Sequence, residues 1–492
     1  MAAIITNKFR FHNAEKFSTA LTGSSNVFYL GIGRPQSFTT STRPDSRTVN
    51  EGSDASPLTP VDSIQEEFYT FDDLLAAKKV ATTDISYVIP RRNWTSGTVY
   101  DYYRHDYGNR ITGTTTTQTS DSGASTLWDA TYYVVSSTYQ VFKCLDNNSG
   151  ANSTVEPSVT DGETSILTTG DGYKWKYMYT LSAAQQSNFL STDFMAVSTN
   201  TTVSSAATDG AINIVKIKSA GTGFTTTAGS TISAIPIRGD GSSGTVSVTL
   251  TGGAISGVTV TNIGQDYTFG YITVADINAG TNSAGGGSGA ELDCIIEPKG
   301  GHGSNAIEEL GGYFVMLNTN FEASEAANSG DFTTANDFRR VVLLRDPKSG
   351  GSAASANTLR GTKAVLVTSP SGNFTVDEEI NQATTGAVGK VVEWDSSNNI
   401  LYYIQTRFND EGLDSNGNLV AFSGTNTITG QSSSVTATPS SSTTTVDNIS
   451  FTSGYNSGEI DADSGDVLYI ENRSPITRAS DQTENVKLII EF

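Results

Sequence analysis

Residues 173–181 read Tyr173-Lys174-Trp175-Lys176-Tyr177-Met178-Tyr179-Thr180-Leu181. Aromatic side chains fall on every odd position from 173 to 179, with Lys174, Lys176 and Met178 between them. A period of two puts the aromatics on one face of an extended strand. Just upstream, Thr131 to Leu145 (TYYVVSSTYQVFKCL) reads as two strands joined at Ser136-Ser137. Further out, Asn26 to Ile32, Ile85 to Pro90, Tyr313 to Asn318, Arg339 to Leu344, Val467 to Glu471 and Val486 to Phe492 are short apolar or aromatic runs bounded by turn residues. Strand content dominates, and the expected class is mainly β: a multidomain, β-sandwich-like core with few short helices.

Those helices are placed at Asn13 to Leu21, Thr70 to Val80 and Ala183 to Leu190. In the second, Thr70 is read as the N-cap, with acids in the first turn and Lys78 and Lys79 in the last. The opening AAIITNKF is read as a strand, and residues 35–62 as an exposed loop.

Composition divides the chain. Residues 200–299 and 350–452 together hold 27 of the 48 Gly but only 24 charged side chains, whereas the other 289 residues hold 21 Gly and 57 charges. Each stretch also repeats itself. Val215 to Gly221 followed by Phe224 returns as Val258 to Gly264 followed by Tyr267, and Ser243-Gly244 returns as Ser288-Gly289. Phe374 to Ile380 returns as Phe422 to Ile428. Two copies point to a small β module; a solenoid needs at least three. The expected organisation is a core of residues 1–199, 300–349 and 453–492, interrupted by two inserted Gly/Ser/Thr-rich β modules at 200–299 and 350–452.

The chain carries 51 acidic and 30 basic side chains, a net charge of −21. Nucleic-acid binding through phosphate neutralisation is not expected, and no apolar run is long enough for a membrane helix. Two cysteines, Cys144 and Cys294, do not make a disulfide scaffold. With three histidines and no Gly-x-Ser-x-Gly, P-loop, His-Glu-x-x-His or Cys-x-x-Cys motif, no catalytic residue, cofactor or metal is assigned. His302, with Glu308 and Glu309 nearby, is a weak acid–base or metal candidate; a glycine-rich turn is the favoured reading. Asp410 to Asn418 lacks the Gly and Glu of a calcium loop in either register and reads as a polar hairpin turn. Arg238-Gly239-Asp240 reads as a turn.

Several runs, in collinear order, resemble the baseplate wedge proteins encoded by gene eight of T-even-like contractile-tailed phages. They are Ile4 to Arg10, Phe28 to Arg34, Val88-Ile89-Pro90-Arg91-Arg92-Asn93-Trp94, Phe142 to Asp146, Gly170 to Tyr177, Phe338-Arg339-Arg340, Tyr469 to Ile476 and Asp481 to Glu484. The two Gly-rich stretches depart from the family's shorter pattern. The resemblance implies a homodimeric structural protein of the virion tail, assembled in the host cytoplasm. It implies no catalytic role. Its partners would be itself and the wedge proteins of genes six, seven and ten, and it would link the inner baseplate to peripheral fibre-carrying parts and move when the baseplate rearranges.

Candidate interface or signature residues are Arg91, Arg92 and Trp94, because Arg and Trp are favoured at interface hot spots; a buried Arg–carboxylate pair is the equal alternative. Tyr173, Trp175 and Tyr177 read as core or interface, and less as a sugar-stacking platform. Glu471, Asn472 and Arg473 cap a turn or pair with another chain. The competing function is a host-surface or glycan-binding module of tail-fibre or adhesin type.

Overall fold

The computed structural model describes residues 4–43, 46–109, 119–322, 335–408, 410–479 and 483–492. Ala2 and Ala3 of the opening AAIITNKF run, and Asp481 and Gln482 of the last family-like run, lie outside them. The fold is mainly β, 41% strand and 11% helix, with six α-helices among the described residues and many antiparallel sheets. The chain divides into two compact units, residues 1–15, 86–316 and 489–492, and residues 16–85 and 317–488.

In the first unit, Lys174–Thr180 lies inside a four-stranded antiparallel sheet between Ile166–Thr168 and Gln140–Asp146, and Tyr133–Val135 follows at the far edge. Both faces of this strand are covered: Tyr173, Trp175, Tyr177 and Tyr179 are buried, and so are Lys176 and Met178. Residues 212–296 of the same unit share a core of their own. It includes Phe224, Ile232, Ile235, Val246, Val248, Tyr267 and Leu292. Two antiparallel sheets enclose it: Ile214–Thr222 with Ser288–Ile295, Gly270–Tyr271 and Arg238–Gly239, and Thr231–Pro236 with Thr245–Thr251 and Ala254–Asn262. The sequence echo has a structural basis. Gly221 and Gly264 both take positive φ, +62° and +64°, and a Cβ on either would press into the ring three residues on, 2.8 Å from Phe224 and 2.6 Å from Tyr267.

In the second unit, a five-stranded antiparallel sheet runs in the order Thr358–Arg360, Leu74–Lys79, Phe28–Gly33, Phe338–Arg345, Asp466–Ile476. Six further strands close on themselves: Lys363–Thr368, Ile400–Ile404, Ala387–Asp395, Glu379–Gln382, Ile428–Gly430 and Thr436–Pro439, the last pairing back to the first. The result is a small antiparallel barrel filled by Val365, Phe374, Ile380, Val391, Leu401, Tyr403, Phe422 and Ile428. Closure removes the exposed edges that an open Gly-rich sheet would present. The two echoed segments lead into neighbouring barrel strands, with Ile380 opposite Gly430.

Three local expectations are corrected. Residues from Asn7 are helical, not extended, in helix Asn7–Thr22. The helix expected at Thr70 to Val80 sits earlier, at Ile64–Asp72, capped by the Ser63 side chain accepting from the Glu66 N–H. Leu74–Lys79 is instead a strand between two others, because burying Leu74, Leu75, Ala76 and Ala77 in a central sheet position outweighs their helix propensity. Within residues 35–62, Thr40–Thr42 pairs with Thr48–Asn50, and Gly52–Ser53 with Ser56–Pro57. Helix Ala183–Phe189 and the strands at Phe28–Gly33, Ile85–Pro90, Phe338–Arg345 and Asp466–Ile476 form where expected. The C-terminal strand Thr483–Glu491 is hydrogen-bonded to Phe314–Glu322.

Candidate functional site

A cluster of buried ionisable groups lies in the first unit. Lys143 sits mid-strand between the buried Phe142 and Cys144. A cation there needs a partner, and it finds three. Its Nζ donates to Glu309 Oε2 at 2.7 Å and to His302 Nδ1 at 2.8 Å, and lies 4.3 Å from the centre of the Tyr103 ring. The His302 ring meets Tyr103 edge to face at 4.8 Å. Glu309 Oε1 accepts from the Gly303 N–H at 2.8 Å and the Asn305 N–H at 3.2 Å, and the His302 N–H donates to Glu297 Oε2 at 2.8 Å.

Electrostatics follow from this geometry. Burial is the largest single influence on the Glu309 carboxyl and raises it, but the Lys143 ammonium and the contacts with His302 together outweigh it and hold the carboxyl at about 2. Burial pushes Lys143 below the usual lysine range, with Glu309 offsetting. Burial also keeps His302 below its ordinary value and therefore neutral. An ammonium only donates, so Nδ1 of His302 accepts and the ring proton is on Nε2. Beside the cluster is a cavity of about 280 Å³, lined by Lys176, Asn213, Glu297 and His302 among others. Its ionisable groups are engaged: Lys176 Nζ donates to the Thr164 carbonyl, and Glu297 takes the Asn213 amide. Paired charges of this kind hold chain segments together.

The residues singled out from sequence are dispersed. Arg91 donates to Asn93 Oδ1 and the Ser191 carbonyl, both at 2.9 Å. Arg92 donates to the carbonyls of Ala130 and Trp128, and its guanidinium stands 4.7 Å over Tyr133. Neither makes an ion pair among the described residues; backbone carbonyls occupy the place of the carboxylate partner. Trp94 is half-buried and donates to Ser153 Oγ at 3.0 Å. Tyr173, Trp175 and Tyr177 are core residues, with the first two rings stacked at 5.4 Å. In strand Asp466–Ile476, Glu471 Oε2 accepts from Tyr469, and Asn472 links Arg340 to the Leu58 carbonyl. Arg473 is half-buried.

The weaker candidates resolve into turns. Asp240 accepts from the Thr268 and Phe269 N–H groups and the Thr268 hydroxyl, which holds its carboxyl at about 2. Asp414 Oδ1 accepts from the N–H groups of Asn416 and Asn418 at 2.8 and 2.9 Å, closing a hairpin turn. Lys143 was the missed residue. The signal was available: a lone charge in the apolar run Val141-Phe142-Lys143-Cys144-Leu145.

The chain is mainly β, built of sheets and a barrel, and many of its buried charged side chains are hydrogen-bonded or ion-paired within it. Residues 391–492 match the family model described as Bacteriophage T4, Gp8. Over these C-terminal residues the chain is similar to the gene-eight baseplate wedge family, a family of structural baseplate proteins. The matched segment takes in the barrel strand Ile400–Ile404 as well as the terminal strands. No curated protein matches the chain.

Proposed function

We propose that this chain is a homodimeric scaffold of the baseplate wedge, without catalytic activity, linking inner wedge proteins to the peripheral fibre-carrying ones and moving with them at infection. The match of residues 391–492 to the gene-eight family carries the reading, and the internally paired buried charges agree with it. Its specific partners would be a second copy and the products of genes six, seven and ten, met during assembly in the host cytoplasm. Residues 1–199, 300–349 and 453–492 would form a core, with 200–299 and 350–452 as inserted modules, the second of which the family match enters from residue 391. Light scattering on the purified chain is expected to give twice the 51.9 kDa chain mass, and electron microscopy of assembled tails to place it in the baseplate. A monomer across micromolar concentrations, absent from tails, overturns this.

A second reading rests on one observation. Phe269 and Tyr271 are 55% and 50% exposed, two residues apart within the first Gly-rich stretch. Exposed rings with the same sense along a strand suit stacking on sugar rings. A glycan-binding screen separates the readings: specific hits lost in Phe269→Ala/Tyr271→Ala favour a receptor-binding module, and no hits favour the scaffold alone.

A further inference from the structure

Exposed large apolar side chains are not scattered evenly over the second unit. Leu58, Val61, Ile64 and Phe68 fall within eleven residues, on the lead-in and outer face of helix Ile64–Asp72. Val61 and Ile64 are 68% and 71% exposed. The helix buries its other end through Thr70, Phe71 and Asp72. Ile64 and Phe68 are one helical turn apart and so share a face. The segment is also held rigidly. Ser63 caps the helix, the Leu58 carbonyl accepts from Asn472, Glu66 pairs with Arg340 at 3.1 Å, and Arg407 stacks over Phe68 at 4.8 Å while gripping Asp72. A fixed, solvent-facing apolar stripe of this kind marks an interaction site.

The charges beside it select the occupant. Asp62 and Glu67 flank the stripe, and neither makes an ion pair among the described residues. Arg407, which stands over Phe68, is paired with Asp72 and Asp463. The rim is therefore acidic. In a two-fold self-contact each patch meets its own copy, so acidic rim would oppose acidic rim, and like charges brought together across an interface are costly.

We propose that the stripe Leu58–Phe68 docks a different chain, one that offers an apolar strip flanked by Lys or Arg, and is not the contact between two copies of this protein. The inference rests on the baseplate reading and names the chemistry of one partner within it. Desolvating Val61, Ile64 and Phe68 supplies the contact, and the flanking carboxylates set orientation and reject a second copy.

The test replaces the chain in assembling tails by Val61→Asp/Ile64→Asp. Both positions are solvent-facing, so the purified variant is expected to keep the wild-type melting curve and oligomeric mass, while its incorporation into tails falls at least tenfold. Asp62→Lys/Glu67→Lys is expected to lower incorporation as well, through its charge alone. A photo-crosslinker at Ile64 in wild-type-like tails is expected to trap a different subunit through a peptide rich in Lys or Arg. Normal incorporation of both variants, a cross-link to a second copy of this chain, or a changed oligomeric mass each overturn the proposal. A wild-type chain absent from tails overturns the baseplate reading instead, so the two failures are distinct.

Discussion

Lys143 Nζ lies 2.7 Å from Glu309 Oε2, and both side chains are sealed from solvent. The residues come from a mid-sheet strand and a one-turn helix 166 positions apart. Taking both charges out of water is costly, and only their mutual contact with added hydrogen bonds offsets it. Removing one partner strands the other. Lys143→Met and Glu309→Gln are each expected to lower stability by about 3–5 kcal/mol, while Lys143→Met/Glu309→Leu costs less than the sum of its single changes. Hydrogen exchange across Gln140–Asp146 provides the local readout. Strict additivity in the cycle would show that the two charges do not act as a unit.

The same pair sets a pH signature. The Glu309 carboxyl, near 4.5 when the chain is unfolded, is held at about 2 in the fold. Its folded value is depressed, so its contribution is fully present above about pH 4.5 and is lost as pH falls through 2. The stability gap between the wild type and Glu309→Gln is expected to be widest at pH 5–7 and to narrow steadily towards pH 2. Denaturant titrations of both proteins at several pH values measure it. A gap of constant size would mean that Glu309 is not ionised in the folded chain.

The echoed glycines make a different prediction. At Gly221 and Gly264 an added methyl meets both a positive φ and a ring or backbone closer than 3 Å. At Gly229, φ is +66° but nothing lies within 4 Å. Gly229→Ala therefore isolates the backbone cost, about 1 kcal/mol. Gly221→Ala and Gly264→Ala are each expected to cost clearly more, since Phe224 or Tyr267 must leave its seat in the core. Thermal melts of the three variants rank them, and equal losses would put the whole effect on the backbone.

Much of this architecture was legible because strands announce themselves through period. Lys174–Thr180 and Phe338–Arg345 were placed from alternation and apolar runs, and the paired echoes exposed the repeating Gly–aromatic corners at Gly221–Phe224 and Gly264–Tyr267. What misled was local propensity without its neighbours. Leu74-Leu75-Ala76-Ala77 favours helix alone, and only the strands on either side make it a strand. Closure of the barrel depends on Val367 meeting Pro439, a contact between segments far apart in sequence that no local pattern encodes. The Lys143 cluster was half visible. His302 and Glu309 were seen together, but their partner lies in a strand read only for its apolar neighbours.

Arg340 shows how dispersed signature residues converge. From strand Phe338–Arg345 its guanidinium reaches Glu66 Oε1 at 3.1 Å, Asp73 at 3.2 Å and Asn472 Oδ1 at 3.0 Å, with its side chain only 4% exposed. Asn472 in turn donates to the Leu58 carbonyl at 3.1 Å. One planar five-donor group thus ties a helix, the loop after it and an edge strand together. A lysine has one point of charge and cannot address three partners in that geometry. Arg340→Met leaves Asp73 buried beside only a distant Arg34, 3.9 Å away, and is expected to cost about 3–5 kcal/mol. Arg340→Lys is expected to recover part of that loss, and Asn472→Ala to cost about 1–2 kcal/mol, the loss of the hydrogen bond accepted from Arg340 and the one donated to Leu58 by a half-buried side chain. The order is checked by denaturant titration together with hydrogen exchange in Asp466–Ile476. Because Arg340 also fixes Glu66 on helix Ile64–Asp72, Arg340→Met is expected to loosen that helix and speed exchange at its amides, whereas Asn472→Ala leaves them nearly unchanged.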